Sequence, residues 1–391
     1  MDINRIKKHL FIVMGYEHYN PLGVIRSLGE NGICPVVMLL KSDMRIASVS
    51  KYVDKRRLFI VNNYEEMYKI LLKKFSHYKL KPFIIPCDDN ITELLDKKWD
   101  EIKDIFFVSN AGESGRITHF MNKWTICELA KKNGLNIAAS WRIKNGEIPQ
   151  DIVYPVITKP LTSYIGWKDD YYVCYTEEEL KAAFKVIKGG GILLQQFIYK
   201  VNELCLDGIS INHGNDLFIS IASKYTYILP DYYSMEMVVS NFNDKYFQNI
   251  LNKMFKEIGY EGIFSAEFMI DKDGKYWFLE INLRNSGWSY ASTKLGMNLP
   301  LLWADGMLNG KKPINARKKI PDNYIALAEV GDFEHRVRRL KQISILKWFK
   351  GILNADCLYV WNSKDIKPAI IYWYCKMRRF IKKKIYHKKS N

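Results

Sequence analysis

The sequence predicts a mixed α/β and α+β protein: a parallel α/β domain first, then a region built on successive strands, then a basic extension. Three observations carry this reading. Short apolar runs alternate with amphipathic stretches through about residue 115, the pattern of strands joined by crossover helices. Residues 191–282 instead hold several strand-like segments, the last two forming a hairpin. From Glu334 onward there are sixteen Lys and Arg against three acids, so this end carries most of the net charge of +17.

Residues 10–14 read as a buried strand, and Pro21 opens a helix along Leu22, Val24, Ile25 and Leu28. Residues 33–40 and 57–61 read as further strands, and Asn62 is placed to cap a helix over 64–75. Residues 83–86 make a fourth strand, followed by Cys87-Asp88-Asp89-Asn90 and a helix around 91–95. Ligands of open parallel sheets sit beyond the carboxyl ends of the strands. Gly15-Tyr16-Glu17-His18 and Cys87–Asn90 occupy such positions. Asn122-Lys123 starts a helix that ends at Asn133-Gly134, 153–159 is a strand, and 161–170 is a polar loop. A helix over 177–187 leads into Gly189-Gly190-Gly191, which reads as a cap and turn. Strands follow at 192–198, 203–211 and 217–225, then a loop or edge segment at 230–241 and a helix over 244–258. Beyond Pro313 the pattern gives no clear order.

The chemistry concentrates in residues 261–287, EGIFSAEFMIDKDGKYWFLEINLRNSG. Two alternating apolar segments flank Asp271-Lys272-Asp273-Gly274, and Asp-Gly between such segments signals a hairpin. Side chains two apart share a strand face, so Glu280 and Asn282 point the same way. The hairpin brings Glu267 beside them. Like-charged acids among apolar neighbours are costly without a cation between them. Hard oxygen donors suit magnesium, especially magnesium that also holds phosphates, with manganese as the alternative ion. Arg284, two residues further on, offers a planar cationic fork to an anionic oxygen.

Composition excludes other classes. Nearly half the residues are apolar, which fits a globular chain with more than one core. No apolar run approaches a membrane span, and residues 10–14 are too short for a signal-peptide core. The seven cysteines show no metal spacing, and a dispersed set fits a reducing cytoplasm. Neither a G-x-x-x-x-G-K-[ST] loop nor a strand-borne G-x-G-x-x-G occurs.

The run Glu280-Ile281-Asn282-Leu283-Arg284, followed by Asn285-Ser286-Gly287, closely resembles the metal-binding strand of the ATP-grasp ligases. Further motifs appear in that superfamily's order across roughly 1–310. The resemblance implies an N-terminal pre-ATP-grasp domain (1–115), a two-lobed ATP-grasp domain (116–312, with lobes 116–190 and 191–312) and a basic extension (313–391). It implies that Lys123 and Lys159 contact ATP phosphates and that Gln195-Gln196-Phe197-Ile198 reads the adenine edge. Gln196 stands where many members carry an acid. Glu203 would bind the ribose hydroxyls, Lys224 another phosphate oxygen, and Glu267, Glu280 and Asn282 the magnesium. Arg284 and Lys159 would act at the reacting phosphate. The loop at 162–167 would close over the triphosphate. A narrower likeness is to D-aspartate ligase-like carboxylate–amine ligases of envelope metabolism, through Gly23, Arg26-Ser27 and Gly296-Met297-Asn298-Leu299. Carboxylate and amine substrates, such as an amino acid and an envelope precursor, follow from that likeness. A thiol nucleophile, or an ATP-binding scaffold without turnover, are the rival readings. A homodimer is compatible with all of them.

Arg338 to Leu353 and Pro368 to Tyr386 are basic, aromatic and amphipathic. Such segments lie on anionic membrane surfaces, which would place a cytoplasmic protein at the inner face of the membrane. The alternative is a subdomain that packs its aromatics on the body. No nucleic-acid-binding module accompanies the charge, so no nucleic-acid partner is expected.

Overall fold

The structure, a computed structural model, describes residues 1–161, 170–187, 191–229 and 234–389, with 380–389 described by backbone alone. The loop at 162–167, Gly189-Gly190 and the start of the 230–241 segment lie outside the described residues.

Four parallel strands open the chain: β1 (Phe11–Gly15), β2 (Val36–Leu40), β3 (Leu58–Val61) and β4 (Phe83–Pro86), in the order β3-β2-β1-β4. Helices α1 (Tyr19–Gly29), α2 (Tyr64–Phe75) and α3 (Asp89–Lys97) connect or follow them. Apolar runs buried on both faces produce this parallel arrangement. Two helix starts differ from expectation. His18 caps α1, whose first turn already contains Pro21. Asn63 rather than Asn62 caps α2, through its side-chain oxygen on the Glu66 N–H. Asn62 instead donates to the Glu66 carboxylate, completing a reciprocal box.

After α4 (Lys123–Lys132) comes a four-stranded sheet of order β5-β8-β6-β7. It comprises β5 (Ser140–Lys144), β6 (Val156–Pro160), β7 (Val173–Cys174) and β8 (Gly191–Gln196), with α5 (Glu177–Val186) on one face. The third sheet holds β9 (Lys200–Ile211), β10 (Asp216–Tyr225), β11 (Glu236–Ser240), β12 (Gly262–Asp271) and β13 (Tyr276–Asn282). Helix α6 (Lys245–Ile258) precedes the hairpin and α7 (Leu299–Asn309) follows it. The sheet is completed late in the chain by β14 (Tyr324–Leu327) and, after α8 (Ile345–Asn354), by β15 (Cys357–Leu358). Its order is β13-β12-β9-β10-β11-β14-β15. A final helix, α9, covers Lys367–Lys389.

Two findings correct the sequence reading here. β11 is an inner strand, paired with β10 on one side and β14 on the other, not a loop or edge. Residues beyond Pro313 are ordered into strands and helices. Their signal is weak because β14 and β15 are only four and two residues long, below the length at which alternation can be read.

One face of the third sheet packs on α4 and α6 through Leu206, Ala266, Phe268, Phe278 and Phe255. The other face shares a core with the first domain: Ile209, Ile211 and Ile263 join Phe11, Val13, Leu22 and Trp303. The C-terminal region enters the same core through Cys357, Tyr359, Val360 and Tyr372. Its anchor is the Arg26–Asp365 pair at 3.0 Å, with both side chains fully buried. The guanidinium also donates to the carbonyls of Tyr359, Val360 and Asp365. Asp365 accepts further bonds from the Ser50 hydroxyl and the Lys51 N–H. Both charges are therefore fully satisfied, the condition a buried pair needs.

Removing one partner strands the other charge. Arg26→Met should cost about 3–5 kcal/mol and lower the urea midpoint without changing the site chemistry. A loss under about 1 kcal/mol would show that the pair is not the anchor of the C-terminal region.

Candidate functional site

The site lies on the face of the third sheet opposite α6, where the hairpin carries its polar residues. Its geometry depends on a bulge. Glu267 pairs with Glu280 and Phe268 with Phe278, and the register shifts between these pairs, leaving Leu279 as the extra residue. In a regular strand Phe278 and Glu280 would share a face. The bulge separates them. Phe278 enters the core and stacks edge-on to Phe268 at 5.7 Å, while Glu280 turns to meet Glu267. The hairpin turn is fixed by the Asp271 carboxylate, which accepts from the N–H groups of Asp273 and Lys275, and by Gly274 at φ +76°.

The three expected oxygen-bearing side chains do converge. The Asn282 amide donates to Glu267 Oε1 at 2.9 Å and to Glu280 Oε1 at 3.4 Å. Lys123, at the start of α4, reaches Glu280 Oε2 at 2.7 Å. That lysine, followed by the charge of Arg284, holds the Glu280 carboxyl down to about 2 despite burial. Burial opposes the Lys123 charge, yet Glu280 keeps its ammonium above the usual lysine range. Glu267 is pushed well up, first by burial and then by the negative charge of Glu280 facing it. Two crowded carboxylates bridged by one amide are the donor chemistry of a divalent-cation site. Among the described residues no group of three His, Cys, Asp or Glu side chains is placed to hold a metal ion. The Asn282 amide oxygen is therefore the third donor such an ion would use, after the amide turns over.

Arg284 lies just past the end of β13 and donates to Asn282 Oδ1 at 3.2 Å. Its Nε also meets Asp89 Oδ1 at 2.6 Å, so the start of α3 closes one side of the site. His18, from the loop after β1, is lowered to about 4 by burial and by the nearby Arg284 charge. Both segments were expected at a ligand edge, but the bond of Asp89 to Arg284 and the approach of His18 to that charge were not legible, because they are formed between domains.

The smaller lobe contributes Lys159 on β6. Its ammonium donates to Gln195 Oε1 at 2.7 Å, and Gln195 in turn donates to the Ser140 hydroxyl at 2.8 Å. Burial, then repulsion from Lys123, lowers Lys159 to about 8. In the hinge, the N–H of Gln196 is taken by the Ala139 carbonyl and that of Phe197 by Pro155. This leaves Ile198 as the next hinge N–H beyond these two. Glu203 accepts from the Tyr225 hydroxyl at 2.7 Å and pairs with Lys200. Neither partner was anticipated.

Lys224 is placed differently from expectation. It pairs with Leu204 in the sheet, whereas Cys205, opposite Glu267, pairs with Ser223. Strand alternation therefore puts Lys224 on the face away from Glu203, Glu267 and Glu280. There it donates to the Tyr276 hydroxyl at 3.3 Å, with its ammonium 5.6 Å from that ring.

A residue missed from sequence underlies the site. Asp207 on β9 is fully buried, accepts from the Ser286 hydroxyl, and lies 3.8 Å from the Cys205 thiol. It ties the segment after Arg284 to the sheet.

No family model matches the chain. It is 24% identical over 281 residues to the D-aspartate ligase of Enterococcus faecium (strain Aus0004), covering 63% of this chain and 62% of that enzyme. The chain thus spans less than two thirds of that relative's length. Among solved structures, the L-amino acid ligase from Bacillus licheniformis superposes with a TM-score of 0.57 at 14% identity, covering 78% of this chain and 75% of that one. Biotin carboxylase from Campylobacter jejuni gives 0.64 at 16% identity, covering 83% and 76%. The fold is that of the ATP-grasp proteins.

Burial raises Asp207 from 3.8 to about 6. A raised carboxyl leaves the folded state holding a proton that the unfolded chain has released. Stability should therefore fall as pH rises from about 4 to about 6, by about 2–4 kcal/mol. Asp207→Asn should flatten that slope in urea titrations; an unchanged slope would mean that another group causes it.

Proposed function

We propose that this protein is an ATP-dependent carboxylate–amine ligase. It forms an amide or peptide bond through an acyl phosphate and releases ADP and phosphate. The observation that carries this reading is the Glu267–Asn282–Glu280 set, flanked by Lys123 and Arg284, on a fold shared with known ligases. The likeness to a D-aspartate ligase supports an amino acid as one substrate and an envelope or surface-polymer precursor as the other. The basic C-terminal region supports work at the inner face of the membrane.

A carboxylate is a poor acyl donor because its leaving group would be oxide. Phosphorylation by ATP converts that oxygen into a phosphate leaving group. Lys123 and Lys159 would neutralise the triphosphate and hold it in line with the incoming carboxylate. Glu267, Glu280 and Asn282 would hold magnesium, which when bound supplies further neutralisation between the two anions. Hinge backbone at Gln195–Ile198 would hold the adenine and Glu203 the ribose, once Lys200 releases it. Arg284 would stabilise the oxyanion that forms when the amine attacks. Asp89 orients Arg284 and keeps its charge paired until substrate arrives.

Phosphate release measured with a panel of amino acids and sugar acids should rise with one carboxylate–amine pair, and mass analysis should find the condensed product. Glu280→Gln should lower that rate by about a hundredfold or more. ATP binding with no substrate-stimulated release would overturn the ligase reading.

Lys159 offers a second check. With its pKa lowered to about 8 in the free protein, a triphosphate against it restores the charge. Nucleotide binding should take up most of a proton at about pH 9 and almost none at about pH 7. Calorimetry in buffers of different ionisation heat reads this uptake. Equal uptake at both values would remove Lys159 from the nucleotide site.

A further inference from the structure

Helix α8 is amphipathic in an unusual way: only part of its apolar arc touches the protein. Trp348 is buried, packed edge-on against Phe333 at 4.9 Å. Next to it around the helix, Ile345 and Phe349 are each 53% exposed, Leu346 81% and Leu353 83%. At 3.6 residues per turn these four form one contiguous stripe. Lys350 borders the stripe, Lys347 is exposed further round the helix, and Ile345–Asn354 contains no acid.

Helix α9 repeats the arrangement. Ala369 and Tyr372 are buried, while Ile370, Trp373, Tyr374 and Met377 form an exposed arc beside them. The sequence of Lys367–Lys389 also lacks any acid. The two helices meet where Trp348 and Trp373 lie 6.3 Å apart, each against Phe333. The two uncovered arcs therefore flank a single aromatic seam. Exposed apolar area of this extent marks an interaction surface. No helix among the described residues is long and apolar enough to cross a membrane.

We propose that the α8 stripe, continued by the exposed arc of α9, is a docking face for an anionic lipid bilayer. Its apolar side chains enter the headgroup boundary and its lysines and arginines meet the lipid charge. Charge complementarity selects this occupant. Large apolar side chains on two helices that carry lysines and arginines and no acid of their own suit a surface that is apolar below and anionic above; Glu334, beside the seam, is already paired with Lys376 and Arg338. This deepens the membrane association proposed above by naming its surface, and it does not depend on the ligase reaction.

The test is co-sedimentation of the full-length protein with vesicles of phosphatidylcholine alone, or containing about one third phosphatidylglycerol. The expected result is binding to the anionic vesicles only. The double variants Leu346→Glu/Leu353→Glu and Lys347→Glu/Lys350→Glu should each weaken it by about tenfold or more. Tyr246→Glu, at an apolar position 75% exposed on α6, should leave binding intact. Phosphate release in solution should be unchanged in all three variants, which separates loss of docking from loss of fold or of catalysis. Binding that ignores the stripe or the lipid charge overturns the proposal. So does a stripe-dependent dimer in light scattering without vesicle binding, which would give this face to a second copy.

Discussion

The structure turns on a confrontation of like charges. Glu267 and Glu280 face each other, half-buried, across a hairpin, and something positive must stand near them. Lys123 meets that need in the protein alone, and its contact with Glu280 joins α4 to β13. Arg284 and Asp89 extend the alternation of charge into the first domain. The array is thus electrically linked from the small lobe to the N-terminal sheet, and a ligand that alters one charge alters the balance of the others.

Packing supports this array from below. The first domain does not simply abut the third sheet, since the two contribute to one apolar core. Ser286, bonded to buried Asp207, fixes the chain immediately after Arg284. Asn285 is held by Asn20 in the same place, through its amide on the Asn20 side chain and its carbonyl on the Asn20 amide. A flexible cationic side chain is thereby mounted on a backbone with little freedom to move, the arrangement that precise orientation requires.

Much of this was legible in the sequence where the signal is local. The four parallel strands, the Asp-Gly hairpin and the Glu-Ile-Asn-Leu-Arg run depend on neighbours a few residues apart. The bulge was not legible, because Phe278 and Glu280 obey simple alternation in sequence and break it only when paired with β12. Lys224 was misplaced for a related reason: its face depends on register with β9, which the sequence does not display. Asp207, and the pairing of Asp89 with Arg284, were missed because each acts through a residue far away in the chain. Short β14 and β15 carried too little pattern to announce that they complete a sheet begun more than a hundred residues earlier.

That late completion has a consequence for biogenesis. β11 gains its second neighbour only when β14 arrives, with Glu236 opposite Leu327. During synthesis, a chain translated as far as α7 carries an unprotected strand margin beside apolar residues, the kind of surface that seeds intermolecular pairing. The margin closes only once Tyr324–Leu327 has been made and has paired.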